Sequence, residues 1–286
     1  MDEIVYLVVL FCSLSNGYDY CENFYTNYGI PFLKNIFVRL MKMLHITDIH
    51  FDPLYMEGAS VYCDDRLCCH EPAFNYSRIK SGKFGSFVNC DTSNATLTSF
   101  DEYAKDLKPD FIIWTGDNTE HNNYNSTQEE VYFTTREIKN IIDYNFGQDI
   151  VVYPVIGNHE VYPNDLWKPG NELVFAELGQ IYKDYFTEQQ AFESFSKYGY
   201  YTERHPGTNL RIVALNCLYF DSINYHLMGT TYEEAKAEFI WLDQILRDAE
   251  TNGEYVYILD HFPINEISLY MNVPKDSEHF SIDLII

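Results

Sequence analysis

The chain has 286 residues, 46% of them apolar and 17% aromatic, enough for one large α/β domain and too apolar for a disordered polar chain. Lys and Arg number 19 against 43 Asp and Glu, a net charge of −24, which argues against a basic surface for duplex nucleic acid. A phosphate ester can still bind such a chain where bound cations supply positive charge locally.

Along the chain, Ile4 to Phe11 is an apolar run followed by Ser13, Ser15 and Gly17, and residues 1–17 read as a signal peptide. The run is far shorter than the roughly 20 residues that cross a bilayer. Residues 18–42 read as a connector carrying Cys21 and the basic Lys34, Arg39 and Lys42. From residue 43 the pattern becomes one α/β domain, 43–286, with no internal repeat. Short apolar runs end abruptly in polar, metal-binding residue types. Met43 to Thr47 runs into Asp48-Ile49-His50, and Phe111 to Thr115 into Gly116-Asp117-Asn118. Val151 to Ile156 runs into Gly157-Asn158-His159-Glu160, Leu210 to Leu215 into Asn216, and Tyr255 to Leu259 into Asp260-His261. Helical spacing of apolar residues marks Thr96–Leu107, Glu129–Tyr144 and Glu233–Ala249. Alternating strands and helices predict an α/β sheet whose strand ends converge on one edge. Segments 52–92 and 161–200 read as loops, and Tyr162, Trp167, Tyr182 and Tyr185 in the second read as packing, with the lining of a substrate pocket as the alternative.

Cys63, Cys68, Cys69 and Cys90 cluster in a polar stretch, and C-x4-CC is not a zinc-ribbon spacing, so disulfides are expected. Sequons at Asn75, Asn94 and Asn125 point with them to an oxidising compartment, secreted or lysosomal.

The chemistry lies at the strand ends. Asp48 and His50 stand two apart, which on an extended chain puts both on one side, able to reach one cation. Asp117 follows a glycine that permits a tight turn, and its two oxygens can bridge two cations. Asn158 offers a carbonyl oxygen and His261 an imidazole, and the mixed set suits Zn, Mn or Fe. Two such cations clamp a phosphate and acidify a bridging water that attacks phosphorus. His159 and His121 are the available proton donors for the leaving oxygen.

These residues resemble the calcineurin-like metallophosphoesterase superfamily, and within it the acid sphingomyelinase and sphingomyelinase-like phosphodiesterases. The resemblance is carried by LHITDIHFDPLY (44–55), YCDDRLCC (62–69), IIWTGDNTEH (112–121), VYPVIGNHEVYP (152–163), LRIVALN (210–216) and YVYILDHFPI (255–264). It implies a β-sandwich flanked by helices, in α/β/β/α layers. It implies two zinc ions, one held by Asp48, His50 and Asp117 and the other by Asp117, Asn158 and His261. His121 and His159 match the family's leaving-group histidines, and Cys63–Cys68 and Cys69–Cys90 its disulfides. The family also has a G-H-x-H motif that nothing after His261 supplies, and Asp260 stands where a small residue is usual, so the domain reads as truncated at its C-terminus and weak in metal retention.

The expected activity is hydrolysis of a phosphodiester, either sphingomyelin to ceramide and phosphocholine or a nucleotide derivative, with transient membrane-surface contact and no obligate protein partner. The alternative is an inactive secreted binding protein. A purple acid phosphatase is disfavoured, because Asn118, Thr119, Glu120 and His121 follow Asp117 without that family's tyrosine.

Overall fold

The computed structural model describes residues 41–70, 79–122, 126–230 and 232–262. The signal-peptide reading, residues 18–40 of the connector, sequons Asn75 and Asn125, and Cys21 lie outside them, while Met41 at the connector's end is buried in the main core.

Two three-stranded sheets form the centre. In the first, β1 (Met43–Ile46), β2 (Phe111–Trp114) and β3 (Val151–Pro154) pair in parallel in that order. All four residues of β2, Phe-Ile-Ile-Trp, are buried, as a central parallel strand covered on both faces requires. Helix α1 (Asn94–Ala104) connects β1 to β2, and α2 (Gln128–Phe146) connects β2 to β3. The hydroxyl of Thr127 accepts the Glu130 N–H to open α2, and Gly147 closes it at φ 81°.

In the second sheet β5 (Leu210–Ala214) lies between antiparallel β4 (Tyr201–Arg204) and parallel β6 (Tyr255–Leu259). Alternate residues of β5 face opposite ways. Ile212 and Ala214 join the main core shared with the first sheet, while Val213 packs with Leu242 of α5 (Glu233–Asn252) in a separate cluster. The layers are therefore helix, sheet, sheet, helix, as the resemblance implies. A bridge between Ile156 and Asn216 joins the sheets beyond β3 and β5.

The structure corrects the reading of 161–200 as loop. That stretch holds α3 (Leu173–Tyr182) and α4 (Gln189–Tyr198), which pack on each other, and β4 follows directly. Trp167, Tyr182 and Tyr185 are buried in the core, so these rings pack the interior. Segments 52–70 and 79–90 are stapled by Cys63–Cys68 and Cys69–Cys90, while Cys217 is buried with a free thiol.

Candidate metal centre

Four loops meet at one end of the sheets, each carrying part of the proposed ligand set. The Asp48-Ile49-His50 segment does not run extended. Strand β1 stops at Ile46, and Asp48 and His50 both adopt left-handed backbone at φ 50° and φ 41°. Such angles are rare for residues with a Cβ and tend to mark functional sites. The backbone is held there because the N–H groups of Asp48 and His50 donate to the carbonyls of Gly116 and Asp117, at 3.1 and 3.0 Å. The sequence argument from strand alternation is thus corrected, although the two side chains still converge: His50 Nε2 is 3.8 Å from Asp48 Oδ1.

Asp117 sits at the centre. His50 Nε2 lies 3.5 Å from its Oδ2 and His261 Nε2 lies 3.4 Å from its Oδ1. The carboxylate therefore points one oxygen at each half of the set, the geometry a bridging ligand needs. Asn158 Oδ1 is 2.9 Å from His261 Nε2. Asp48, His50 and Asp117 bring donor atoms within 4.8 Å of one another, and so do His50, His121 and His159. A divalent cation fits this chemistry, because carboxylate, amide and imidazole donors face inward with little else between them.

The orientation of each donor is fixed from behind. His261 Nδ1 donates to the Thr115 carbonyl at 2.8 Å and His50 Nδ1 to the Thr119 carbonyl at 2.9 Å, leaving each Nε2 for the centre. The Asn158 amide donates to Asp165 Oδ1 at 2.6 Å, which turns its carbonyl oxygen inward. Asp91 accepts from the His121 backbone N–H at 2.6 Å and lies 3.0 Å from His121 Nδ1. The rings of His50, His121 and His159 form a triangle with centroids 4.1 to 4.7 Å apart.

Buried Glu160 ties two of the loops together. Its Oε2 accepts the N–H groups of Asp117 and Gly157 at 2.9 and 2.6 Å, and its Oε1 accepts that of Asn118 at 3.0 Å. The approach leaves no room for side chains. A Cβ on Gly116, which sits at φ 84°, would lie 2.3 Å from the Gly157 nitrogen, and one on Gly157 would lie 2.2 Å from Asp117 Oδ1.

Electrostatics follow from this packing. Burial opposes charge on the His261 ring, but its hydrogen bond to Asp117 and that residue's charge prevail and lift it to about 9. Burial likewise opposes charge on His50, and Asp48 and Asp117 more than offset it. Burial drives His159 down to about 4, so its ring is neutral near pH 7. The hydrogen bond from His50 holds Asp48 well below the usual carboxylate range.

The structure thus brings together all seven residues singled out in the sequence: Asp48, His50, Asp117, Asn158 and His261 around Asp117, with His121 and His159 beside them. Sequence reasoning missed Asp91, Asp165, Glu160 and the carbonyls of Thr115 and Thr119. Glu160 and Asp165 lay within or just beyond a recognised motif. Asp91, next to Cys90, carried no signal of its own, and a backbone carbonyl has none.

A family model described as calcineurin-like phosphoesterase matches residues 41–286. The chain is 34% identical over 227 residues to a sphingomyelinase phosphodiesterase C of Dictyostelium discoideum, covering 78% of this chain and 49% of the relative. It is 28% identical over 230 residues to an acid sphingomyelinase-like phosphodiesterase 3b of Mus musculus, covering 79% and 48%. A human cyclic GMP-AMP phosphodiesterase is 26% identical over 246 residues, covering 84% and 52%. The chain therefore spans about half the length of these relatives.

Proposed function

The chain belongs to the calcineurin-like phosphoesterase family, and on that premise we propose that it is a metal-dependent phosphodiesterase centred on Asp117. The observation that carries this reading is the division of the Asp117 carboxylate, one oxygen 3.4 Å from His261 and the other 3.5 Å from His50. Asp48, His50 and Asp117 would hold one cation, and Asp117, Asn158 and His261 the other. Two cations there would neutralise phosphoryl charge and acidify a water for attack on phosphorus.

The remaining work falls to the chain's own groups. Asp165 and Thr115 keep Asn158 and His261 turned inward. Asp91 engages His121 Nδ1, which leaves His121 Nε2 to deliver a proton to the departing oxygen. His159 stays neutral at its depressed value of about 4 and orients the phosphoryl group by hydrogen bonding. With Asp91 at its Nδ1, His121 is the group assigned to protonate the departing oxygen.

Relatives named for sphingomyelin and for cyclic GMP-AMP support a phosphodiester substrate of either kind. Zinc is the cation best matched to the donor set. Two disulfides and the exposed sequon Asn94 support a secreted or lysosomal glycoprotein, with the catalytic domain starting near residue 43. Among the described residues no helix is long and apolar enough to cross a membrane. The test is hydrolysis of bis(4-nitrophenyl) phosphate by the zinc-loaded chain. The reading expects turnover that chelation abolishes and that Asp117→Asn lowers by about 100-fold or more. Turnover unchanged in Asp117→Asn would remove the basis of the proposal.

A further inference from the structure

Arg66 is the only basic residue in the cysteine-rich segment 62–69, and no step assigned to the metal centre uses it. The Cys63–Cys68 bridge, of sequence separation 5, closes a short loop around it. Leu67 is buried behind the loop, while Asp64, Asp65 and Arg66 are exposed at its tip.

That loop is fastened to the centre from two sides. Cys69 is bonded to Cys90, and the residue after Cys90 is Asp91, which holds His121. His70, the residue after Cys69, lies 2.8 Å from Asp52 Oδ2, and Asp52 follows His50 by two positions. The Cys68 N–H donates to the Asn89 carbonyl at 2.6 Å and the Met56 N–H to the Cys69 carbonyl at 2.7 Å, which holds the base of the loop in place. The charge at the tip is felt within the centre. Burial raises the Asp165 carboxyl, and the hydrogen bond from Asn158 and the charges of Arg66 and His121 pull against that rise. Asp165 is the residue that turns Asn158 inward, so Arg66 and His121 act on one side of the site.

Arg66 is also uncommitted. Arg204, Arg211 and Arg247 each engage a carboxylate. Among the described residues the Arg66 guanidinium makes no ion pair and no hydrogen bond, although Asp64 and Asp65 precede it. Arg136 is likewise unpaired but stands on the exposed face of α2. The two neighbouring aspartates are in water, where such attraction is weak, whereas a phosphate takes the guanidinium's fork through two parallel hydrogen bonds. The phosphoryl group under attack is matched by the centre itself, so Arg66 meets charge further along the substrate. His121 serves the departing oxygen, so charge on its side belongs to the departing half. A ceramide alcohol offers Arg66 nothing there.

We infer that Arg66 is a specificity residue that binds a second phosphoryl group in the departing half of the substrate, so that the chain takes a phosphoanhydride: a nucleoside di- or triphosphate or an inorganic polyphosphate. Water attacks one phosphorus and releases its own proton to solvent. The bridging P–O bond breaks, its electron pair leaves on the phosphate that Arg66 holds, and His121 supplies that phosphate with a proton. The inference rests on the phosphodiesterase proposed above and names its leaving group.

The test is calorimetric titration of the zinc-loaded chain, freed of excess zinc, with imidodiphosphate, whose two phosphoryl groups are joined through nitrogen, and with orthophosphate. Wild type should bind imidodiphosphate the more tightly. Arg66→Gln should weaken imidodiphosphate by about tenfold or more and orthophosphate far less, as the loss of a charged hydrogen-bonded pair implies. Arg66→Lys should recover part of the loss, and both variants should melt with wild type, since the side chain is exposed. Equal imidodiphosphate binding by wild type and Arg66→Gln overturns the inference, and so does an equal loss for both anions. Turnover of a nucleoside triphosphate, of tripolyphosphate and of sphingomyelin in micelles then identifies the source of the second phosphoryl group; sphingomyelin preferred by kcat/KM over both others also overturns it. A chain that binds imidodiphosphate through Arg66 yet hydrolyses nothing would defeat the proposed reaction and leave the second phosphoryl site standing.

Discussion

Replacing Glu160 with glutamine tests whether the centre depends on the clamp behind it. The carboxylate takes three backbone N–H groups, two on Oε2 and one on Oε1, in a fully buried position. In its better orientation glutamine keeps the two bonds from Asp117 and Gly157 and turns its NH2 on the Asn118 N–H. One buried donor is then stranded, and the charge that strengthened the other two is gone. A stranded buried donor costs about 1–3 kcal/mol, and about 2 kcal/mol is a fair central value. For a domain of this size that corresponds to a fall in Tm of about 4–8 °C. Alanine would strand all three donors and cost about 3–9 kcal/mol, comparable with the whole stability of a domain, so glutamine is the informative change. The assay is a thermal melt by circular dichroism in chelator, followed by cation content after reloading. The clamp argument expects both the lower Tm and a reduced cation content, since Asp117 loses its fixed position. A Tm within about 1 °C of wild type with full cation content would refute it.

Other predictions rest on separate contacts. Asp91→Asn should lower kcat for a chromogenic diester by about tenfold or more while leaving cation content unchanged, because Asp91 touches His121 and none of the proposed ligands; equal loss of cation would reassign it. Gly157→Ala should fail to assemble the site, because its Cβ would lie 2.2 Å from Asp117 Oδ1, and calorimetric zinc titration of the variant reads this directly. Burial, aided by the charges of Asp52 and Asp91, lifts Glu120 from 4.5 to about 7. A carboxyl raised on folding binds its proton more tightly in the fold, so its stabilising contribution is full below about 4.5 and is lost as pH rises through about 7. Urea unfolding in chelator should therefore show stability falling between pH 5 and 7.5, by about 1–3 kcal/mol from this group, and Glu120→Gln should flatten that fall. Cys69→Ser/Cys90→Ser, which opens a loop of sequence separation 21, should cost about 3 kcal/mol in the same assay.

The sequence displayed the donors more clearly than the backbone that aims them. Asp48, His50, Asp117, Asn158 and His261 each follow an apolar strand, and strand ends in such folds gather at one edge, so their meeting could be argued from spacing alone. How Asp48 and His50 get there could not. Their left-handed backbone is imposed by hydrogen bonds to Gly116 and Asp117, about seventy positions away, and no local pattern records it. Helix α3 was missed for a different reason. Val174, Phe175, Leu178, Ile181 and Tyr182 are all buried, and on the remaining side only Glu177 and Gln180 are polar beside Leu173 and Ala176, so the polar stripe that marks a surface helix is thin. Helix α4 has only 10 residues and two buried side chains, too short a pattern to register. Asp165 and Asp91 act through single hydrogen bonds to groups known only once the loops are assembled.

The claim on which the rest depends is that Asp117 lies between two cations. Anomalous diffraction from crystals of the zinc-loaded chain tests it most directly. The account predicts two peaks flanking the Asp117 carboxylate, one against Asp48 and His50 and the other against Asn158 and His261. A fully loaded crystal with no peak at Asp117, or with a single peak held by His50, His121 and His159, would contradict it.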